Sequence, residues 1–249
     1  YASNLLKIHS DIYIPNNTPN QKINRIKHFG KDNITIHNYG ETFSECLDMA
    51  IKSTGKNLFI HPYDDIDIID GQATICKEIY DEINPDIIIC PVGGGGLISG
   101  ISKYSKIVNK SCKIYSVEPS GANSLQKSIK YNHRINLKNI DNFVDGASVS
   151  QIGKINFDIC RDYIDKTFSA SNGKICHNLI QLYENEGIIL EPAGTLSTCI
   201  FEQIKNEIVG KNIVCILSGG NNDLTRYNKM VELDLEYQNL KHKFDIHFI

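Results

Sequence analysis

The chain has no tryptophan, only two methionines and seven prolines, and no excess of basic charge. Lys and Arg number 26 against 29 Asp and Glu, a formal net charge of −3. That balance offers no electrostatic footprint for nucleic acid or an anionic membrane. No apolar stretch approaches the ~18 residues a membrane-spanning helix needs. Eight cysteines stand at 46, 76, 90, 112, 160, 176, 199 and 215, with no Cys-x-x-Cys pair among them. They read as buried free thiols in a reducing cytosol, with a zinc site or a disulfide set as the alternative. No internal repeat or low-complexity segment is present, and the heavy use of Asn and Ile reads as coding bias. What remains is 249 residues, 41% apolar and 22% charged, enough for one large globular domain or two modest ones. The chain opens on Tyr1 and closes on Lys241–Ile249, an alternating, strand-like run with nothing after it to pair with. Both ends read as cut, so the expectation is an internal piece of a longer protein.

Apolar periodicity gives an alternating order of elements. Ile8–Pro15 reads as a strand. Thr18 reads as the N-cap of a helix with Pro19 at its first position and Gly30 at its stop. Asn33–His37 is a strand, Glu41–Thr54 a helix ended by Gly55, and Leu58–Ile60 a third strand. A helix over 68–83 carries Ile69, Ala73, Cys76, Ile79 and Ile83 on one face. Asp86–Val92 is a buried strand, 97–108 a helix and Lys113–Val117 a strand. Residues 120–150 are less regular. Helices follow near 155–164, 173–186 and 192–207, then a strand over Asn212–Leu217. This pattern implies an α/β fold with parallel sheets and crossover helices.

Four consecutive glycines, Gly93–Gly96, join the buried strand to the helix that begins at Leu97. With no Cβ in the way, backbone N–H groups there can face outward at the positive end of the helix dipole, a cradle for phosphate. A Walker loop is excluded because no lysine follows the glycines. A dinucleotide fingerprint fails, since Ile98 or Ser99 falls where its last glycine belongs. Glu118, about 20 residues on, stays open as a ribose-binding acid. A further alternative is that the glycines only let helix and strand pack closely. The remaining owner is a small phosphate monoester such as pyridoxal 5′-phosphate. Ser218, in Ser218-Gly219-Gly220-Asn221 at the end of the last strand, could hydrogen-bond its pyridine nitrogen, or could simply cap a helix.

Several segments then fall in order: Pro91-Val92-Gly93-Gly94-Gly95-Gly96-Leu97, His61-Pro62-Tyr63-Asp64-Asp65 with Gly71-Gln72, Val117-Glu118-Pro119, Phe143–Val149, Glu191-Pro192-Ala193-Gly194 and Leu217–Asn222. In these the chain resembles the fold-type II pyridoxal-phosphate enzymes, and among them the threonine dehydratases (threonine ammonia-lyases). The resemblance implies two open parallel-sheet domains with flanking helices. Residues 1–62 would be the remainder of the small domain and 63–230 the large domain. Residues 231–249 would be a linker and the first strand of a C-terminal regulatory, ACT-like domain, which Tyr237–Ile249 resembles. It implies β-elimination of water from L-threonine, giving 2-oxobutanoate and ammonia, the first step of isoleucine biosynthesis. Serine dehydratase, serine racemase or a non-catalytic phosphoryl-ligand binding fragment are the alternatives. The cofactor would be pyridoxal 5′-phosphate, its phosphate on the N–H groups of Gly93, Gly94, Gly95, Gly96 and Leu97, its pyridine nitrogen on Ser218. Glu191 would line the pocket near the ring or act as a helix-start carboxylate. A cytoplasmic homo-oligomer, dimer or tetramer, acting on a small amino acid is implied, with no nucleic-acid or membrane partner.

Three departures from the family pattern stand out. Gly-Gln-Gly-Thr reads Gly71-Gln72-Ala73-Thr74, and Asp70 precedes it where a small apolar residue is usual. Glu118 aligns with a cation-binding carboxylate of serine racemases, but Ser124 stands where that site's second carboxylate belongs, so Glu118 is a weak metal candidate and no metal is expected. Neither the Ser-x-Lys-x-Arg segment that carries the Schiff-base lysine nor the Ser-x-Gly-Asn-His loop occurs. No catalytic lysine is therefore assigned, and these residues alone are expected to be inactive.

Overall fold

The computed structural model describes residues Tyr1–Lys243, and the chain divides into two compact units, Tyr1–Ile60 and His61–Ile249. Of the strand-like run expected over Lys241–Ile249, the first three residues form no strand, and residues 244–249 lie outside the described residues.

The first unit runs α1 (Ala2–Leu6), β1 (Ser10–Ile14), α2 (Asn20–Gly30), β2 (Ile34–Asn38) and α3 (Phe43–Ser53). Strands β1 and β2 pair in parallel, from Ser10↔Ile34 to Ile14↔Asn38. Helix α3 starts where a capping box dictates: the Thr42 hydroxyl accepts from the Glu45 N–H while the Glu45 carboxylate accepts from the Thr42 N–H. Its buried face is Cys46 and Ala50.

Three sequence expectations change here. Pro19, not Thr18, is the N-cap of α2, and the Thr18 hydroxyl donates to the Pro15 carbonyl instead. Gly30 does not stop the helix by a left-handed turn; Lys31 takes the positive φ of 50°. A Cβ on Gly30 would stand 2.4 Å from Ile34 Cδ1, so close packing explains the glycine. Leu58–Ile60 forms no strand: Leu58 is 86% exposed and Ile60 63%. Three apolar residues without a ladder partner bury too little surface to offset the cost of ordering them.

The second unit runs α4 (Ile66–Glu82), β3 (Ile87–Pro91), α5 (Gly96–Val108), β4 (Lys113–Pro119), α6 (Ser124–Tyr131), α7 (Lys154–Tyr163), β5 (Lys166–Ala170), α8 (Asn172–Glu186), α9 (Pro192–Thr195), α10 (Phe201–Ile204), β6 (Ile213–Cys215) and α11 (Tyr227–Tyr237). Its sheet has the order β5-β4-β3-β6, parallel throughout. Strand β3 is buried at every position, as a central parallel strand covered on both faces should be. Its period of two divides the core. Ile88 and Cys90 join Ile98, Ile101, Ile114 and Phe157 on one face. Ile87 and Ile89 join Tyr115, Val117, Ile175 and Leu196 on the other. Each fully buried isoleucine is worth about 1.5–3 kcal/mol of removed apolar surface. A third cluster, Cys176, Leu179 and Met230, fixes α11 on α8.

Strand β5, α6 and α11 have no counterpart in the sequence reading. Strand β5 is an edge strand with only Ala170 fully buried, so its apolar signal is weak. The helix expected over 192–207 breaks into α9, a 3₁₀ turn over Leu196–Thr198, and α10. There the Thr195 hydroxyl donates to the Glu191 carbonyl and the Ser197 hydroxyl to the Ile216 carbonyl. Side-chain bonds of this kind compete with helix propagation. Gly71–Thr74 lies inside α4, within the helix expected over 68–83. All eight cysteines are free, and seven are buried.

Helices α4 and α5 cross at Gly100. A Cβ there would stand 2.4 Å from the Ile69 carbonyl oxygen and 2.7 Å from the Ala73 nitrogen. Further along α5, Lys103 Nζ lies 3.1 Å from Asp70 Oδ1 and Ser105 Oγ 2.8 Å from Tyr80 Oη. Backbone atoms cannot swing away, so Gly100→Ala is expected to destabilise the protein by about 1–3 kcal/mol. Urea denaturation checks this; a midpoint equal to wild type would show that the crossing can relax.

Candidate functional site

The site lies at the carboxyl ends of β3 and β6. These strands are neighbours in register, Ile89 opposite Cys215, so the segments that leave them emerge side by side. One segment is Gly93–Gly96 and the other contains Ser218. The crossovers through α5 and α7 pack on one face of the sheet, while the path through α8 to α10 to β6 covers the other. The chain thus reverses its winding at the β3/β6 boundary, where open α/β sheets leave a crevice for a ligand. A cavity of about 260 Å³ occupies it. Gly93, Gly94, Gly95, Gly96, Leu97 and Ser218 all line it, together with Tyr63, Gln72, Gly146, Ala147 and Ala193.

The polar inventory of the cavity is set by how helix N-termini are satisfied. Helix α7 has its first amides taken by Asp64: Lys154 N–H donates to Oδ2 at 2.8 Å, and Ile155 N–H to Oδ1 at 2.9 Å. Helix α6 has Leu125 N–H and Gln126 N–H on the Glu118 carboxyl at 2.8 and 2.7 Å. Helix α5 differs. Gly95 is its N-cap, in a left-handed conformation with φ 98°, and no side chain caps it. Among the described residues, the N–H groups from Gly93 to Leu97 meet no acceptor within the protein. Orphan amides at a positive helix end, bordering a cavity, are a donor set for a phosphate monoester.

The glycines also permit close packing behind the loop. A Cβ on Gly94 would lie 2.3 Å from the Tyr63 ring, and one on Gly96 would lie 2.9 Å from the Tyr63 carbonyl oxygen. The loop is therefore pressed against the His61–Asp65 segment on one side and open to the cavity on the other. That segment is itself braced: His61 Nδ1 accepts from Tyr63 N–H at 3.2 Å and Asp64 N–H at 2.8 Å. Burial pushes the His61 pKa down against the pull of Asp64 and Asp65, which favours the neutral ring that can accept. Burial likewise pushes the Tyr63 hydroxyl up to about 12.

Ser218 is not a helix cap. The next helical turn begins only at Leu224, and its cap is Asp223, which accepts from Thr225 N–H. Ser218 stands on the cavity wall instead. Glu191 is the N-cap residue of α9. Its Oε1 would lie 2.5 Å from a Cβ on Gly219 and 3.1 Å from one on Gly146, so it stands against those two glycines and is not among the residues lining the cavity. Glu118 is fully buried and both of its oxygens hold α6, which removes it from the role of ribose ligand. Among the described residues no group of three His, Cys, Asp or Glu side chains could hold a metal ion. The Oγ of Ser124 is buried without a partner. Asn156, absent from the sequence reading, donates from Nδ2 to the Gly94 carbonyl at 3.0 Å.

The family profile described as "Pyridoxal-phosphate dependent enzyme" matches residues 1–219. A biosynthetic L-threonine dehydratase of Staphylococcus aureus (strain N315) is 40% identical over 256 residues, covering 100% of this chain and 61% of that protein. The chain thus spans about three-fifths of the length of the curated relatives it matches. Among solved structures, the processed form of threonine deaminase isoform 2 from Solanum lycopersicum superposes with a TM-score of 0.83 at 34% identity, over 93% of this chain and 68% of that one. Serine racemase from Dictyostelium discoideum gives 0.80 at 27%, over 90% and 72%.

The capping carboxyl of Glu118 has a pH signature. Burial raises its pKa from 4.5 to about 8, against the opposing pull of the Gln126 and Leu125 N–H groups and of Lys127. In the unfolded chain it ionises at its ordinary value, so between the two values the folded protein holds a proton that the unfolded chain has released. Stability falls as pH rises through that window and levels off above it. The urea midpoint of wild type is expected to drop from pH 5 to pH 8, and Glu118→Gln, which cannot titrate, to flatten that drop. Equal slopes in the two proteins would mean that Glu118 is ionised throughout.

Proposed function

The chain belongs to the pyridoxal-phosphate dependent enzymes, and from that premise we propose that it is part of a threonine dehydratase that converts L-threonine to 2-oxobutanoate and ammonia, the first step of isoleucine biosynthesis. The observation that carries the reading is the uncapped N-terminus of α5, whose amides border one cavity with Ser218. The substrate assignment is supported by the dehydratase of Staphylococcus aureus and the deaminase of Solanum lycopersicum.

In this reading the N–H groups of Gly93, Gly94, Gly95, Gly96 and Leu97 hold the phosphate, and the Ser218 hydroxyl meets the pyridine nitrogen. When bound, pyridoxal phosphate supplies the electron sink for the negative charge left at the substrate Cα. A serine partner brings no formal charge to the ring, which suits β-elimination over deeper delocalisation. Tyr63 and Leu97 contribute apolar surface to the cavity wall. Among the described residues no lysine lines the cavity. In this proposal the amine that bonds the cofactor lies in the part of the relatives' length that this chain does not span, so that residues 1–249 alone are inactive. Residues 1–62 serve as part of a small domain, 63–230 as the large domain and 231–249 as the link to a regulatory domain; the division of the chain after Ile60 supports the first boundary. In this reading the protein is a homo-oligomer, and its eight free cysteines suit a cytoplasmic setting.

Serine racemase is the second reading, favoured by the match to the Dictyostelium discoideum enzyme. One set of assays separates them. Full-length protein with pyridoxal phosphate is expected to release 2-oxobutanoate from L-threonine faster than pyruvate from L-serine, with no D-serine formed. Ser218→Ala should lower kcat/KM for L-threonine by about tenfold or more, as loss of one directed hydrogen bond in the transition state does. Absence of threonine turnover in the full-length protein would overturn the proposal.

A further inference from the structure

A peptide unit is planar and trans, so its C=O and N–H point in opposite directions. Whatever holds the carbonyl of Gly94 therefore aims the N–H of Gly95. That carbonyl accepts two hydrogen bonds, both from the start of α7: Gly153 N–H at 3.1 Å and Asn156 Nδ2 at 3.0 Å. Asn156 Nδ2 also donates to the Tyr63 carbonyl at 2.9 Å, tying the loop to the segment packed behind it. Gly95 lines the cavity, whereas Ile152, Gly153 and Asn156 do not, so the opposite end of the peptide faces the cavity.

The amide of Asn156 is fixed in this sense. Rotated, it would place Oδ1 between two carbonyl oxygens, which repel it. Its side chain is fully buried, and Oδ1 finds no partner. A buried unpaired acceptor is a cost that an apolar residue of the same size would not carry. The residue is therefore better explained by its two donor hydrogens than by packing. Asn156 is itself anchored, since its backbone N–H and those of Lys154 and Ile155 all donate to Asp64. The fit is tight: a Cβ on Gly153 would stand 2.4 Å from Asp64 Oδ1 and 2.7 Å from Asn156 Nδ2.

We propose that Asn156 is the positioning residue of the glycine cradle, holding the Gly94 carbonyl so that the Gly95 N–H faces the cofactor phosphate. The inference rests on the pyridoxal-phosphate reading of the cavity. It makes Asn156 a determinant of phosphate affinity and leaves the ring end of the site unaffected.

The test uses full-length protein stripped of cofactor, with Asn156→Asp and Asn156→Ala beside wild type. Asp keeps the shape and loses both donors; Ala loses them without adding a buried charge. Dissociation constants for pyridoxamine 5′-phosphate and for pyridoxamine, which lacks the phosphate, are read from ligand fluorescence. Each folded variant is expected to bind pyridoxamine 5′-phosphate about tenfold more weakly or worse, while its affinity for pyridoxamine stays within about twofold of wild type. Circular dichroism of the cofactor-free proteins shows which variants fold, and Ala alone decides if Asp does not. Pyridoxamine 5′-phosphate affinity in Ala near that of wild type overturns the inference. So does an equal loss for both ligands, or failure of both variants to fold, because Asn156 would then be a general support. If wild type itself does not prefer the phosphorylated ligand, the cofactor reading fails first, and the inference with it.

Discussion

The second unit is organised by the need to satisfy helix N-termini. Each helix leaves amides that have no partner within its first turn, and a buried amide without an acceptor is costly. Glu118 meets this need for α6 from the end of the preceding strand, and Asp64 for α7 from 90 positions away. Helix α5 begins in the same crowded region, at the end of the most buried strand of the sheet, and has no such carboxylate. A side chain that capped it would also fill the cavity. The missing cap is thus a structural cost that an anion in the cavity would remove.

Sheet order gives that missing cap a location. Because β6 adds to β3 on the side away from β4, the crossovers leave the β3/β6 boundary uncovered at its carboxyl end. Two loops from distant parts of the chain, 93–97 and 217–220, arrive there together. Gly194 and Gly219 keep the second loop low: a Cβ on Gly194 would stand 2.3 Å from the Gly219 carbonyl oxygen. Arg226, paired with Asp145 at 3.3 Å and donating to the Phe143 carbonyl, ties the segment carrying Gly146 and Ala147 to the same wall.

What the sequence showed and what it hid divide along contact range. The apolar run 86–92, the glycines and the helix after them are local patterns, and they occur as β3, loop and α5. The parallel sheet follows from the alternation of strand and helix. Local signals failed where tertiary contacts decide. Leu58–Ile60 has strand composition and no partner. Residues 192–207 have helical spacing, but hydroxyls of Thr195 and Ser197 draw the chain into short turns. Strand β5 exists because β4 offers it an edge, from Tyr115↔Lys166 to Pro119↔Ala170. The roles of Asn156 and Asp64 are hidden for the same reason: one acts on Gly94 from 62 positions away, the other on Lys154 from 90. Asp64 stands in a motif that the sequence marks, but nothing local says that it caps α7. A serine ahead of two glycines has the local signature of a helix cap, and only the position of the next turn, at Leu224, takes Ser218 out of that role.

Among the described residues that line the cavity there is neither lysine nor arginine. The donors that these residues offer an anion there are neutral dipoles, and dipoles act only along their direction, whereas an ammonium attracts from any angle. A loop of four glycines is the sequence least able to keep its peptides oriented, because glycine resists no rotation. Absence of side chains and precision of direction are opposing demands at Gly93–Gly96. They are reconciled from outside the loop, by the Tyr63 ring against Gly94, by Gly153 and Asn156 on the Gly94 carbonyl, and by Asp64 and His61 behind them. Rigidity that the glycines cannot supply is borrowed from the start of α7, and this accounts for so dense a set of buried polar contacts around a loop with no side chains of its own.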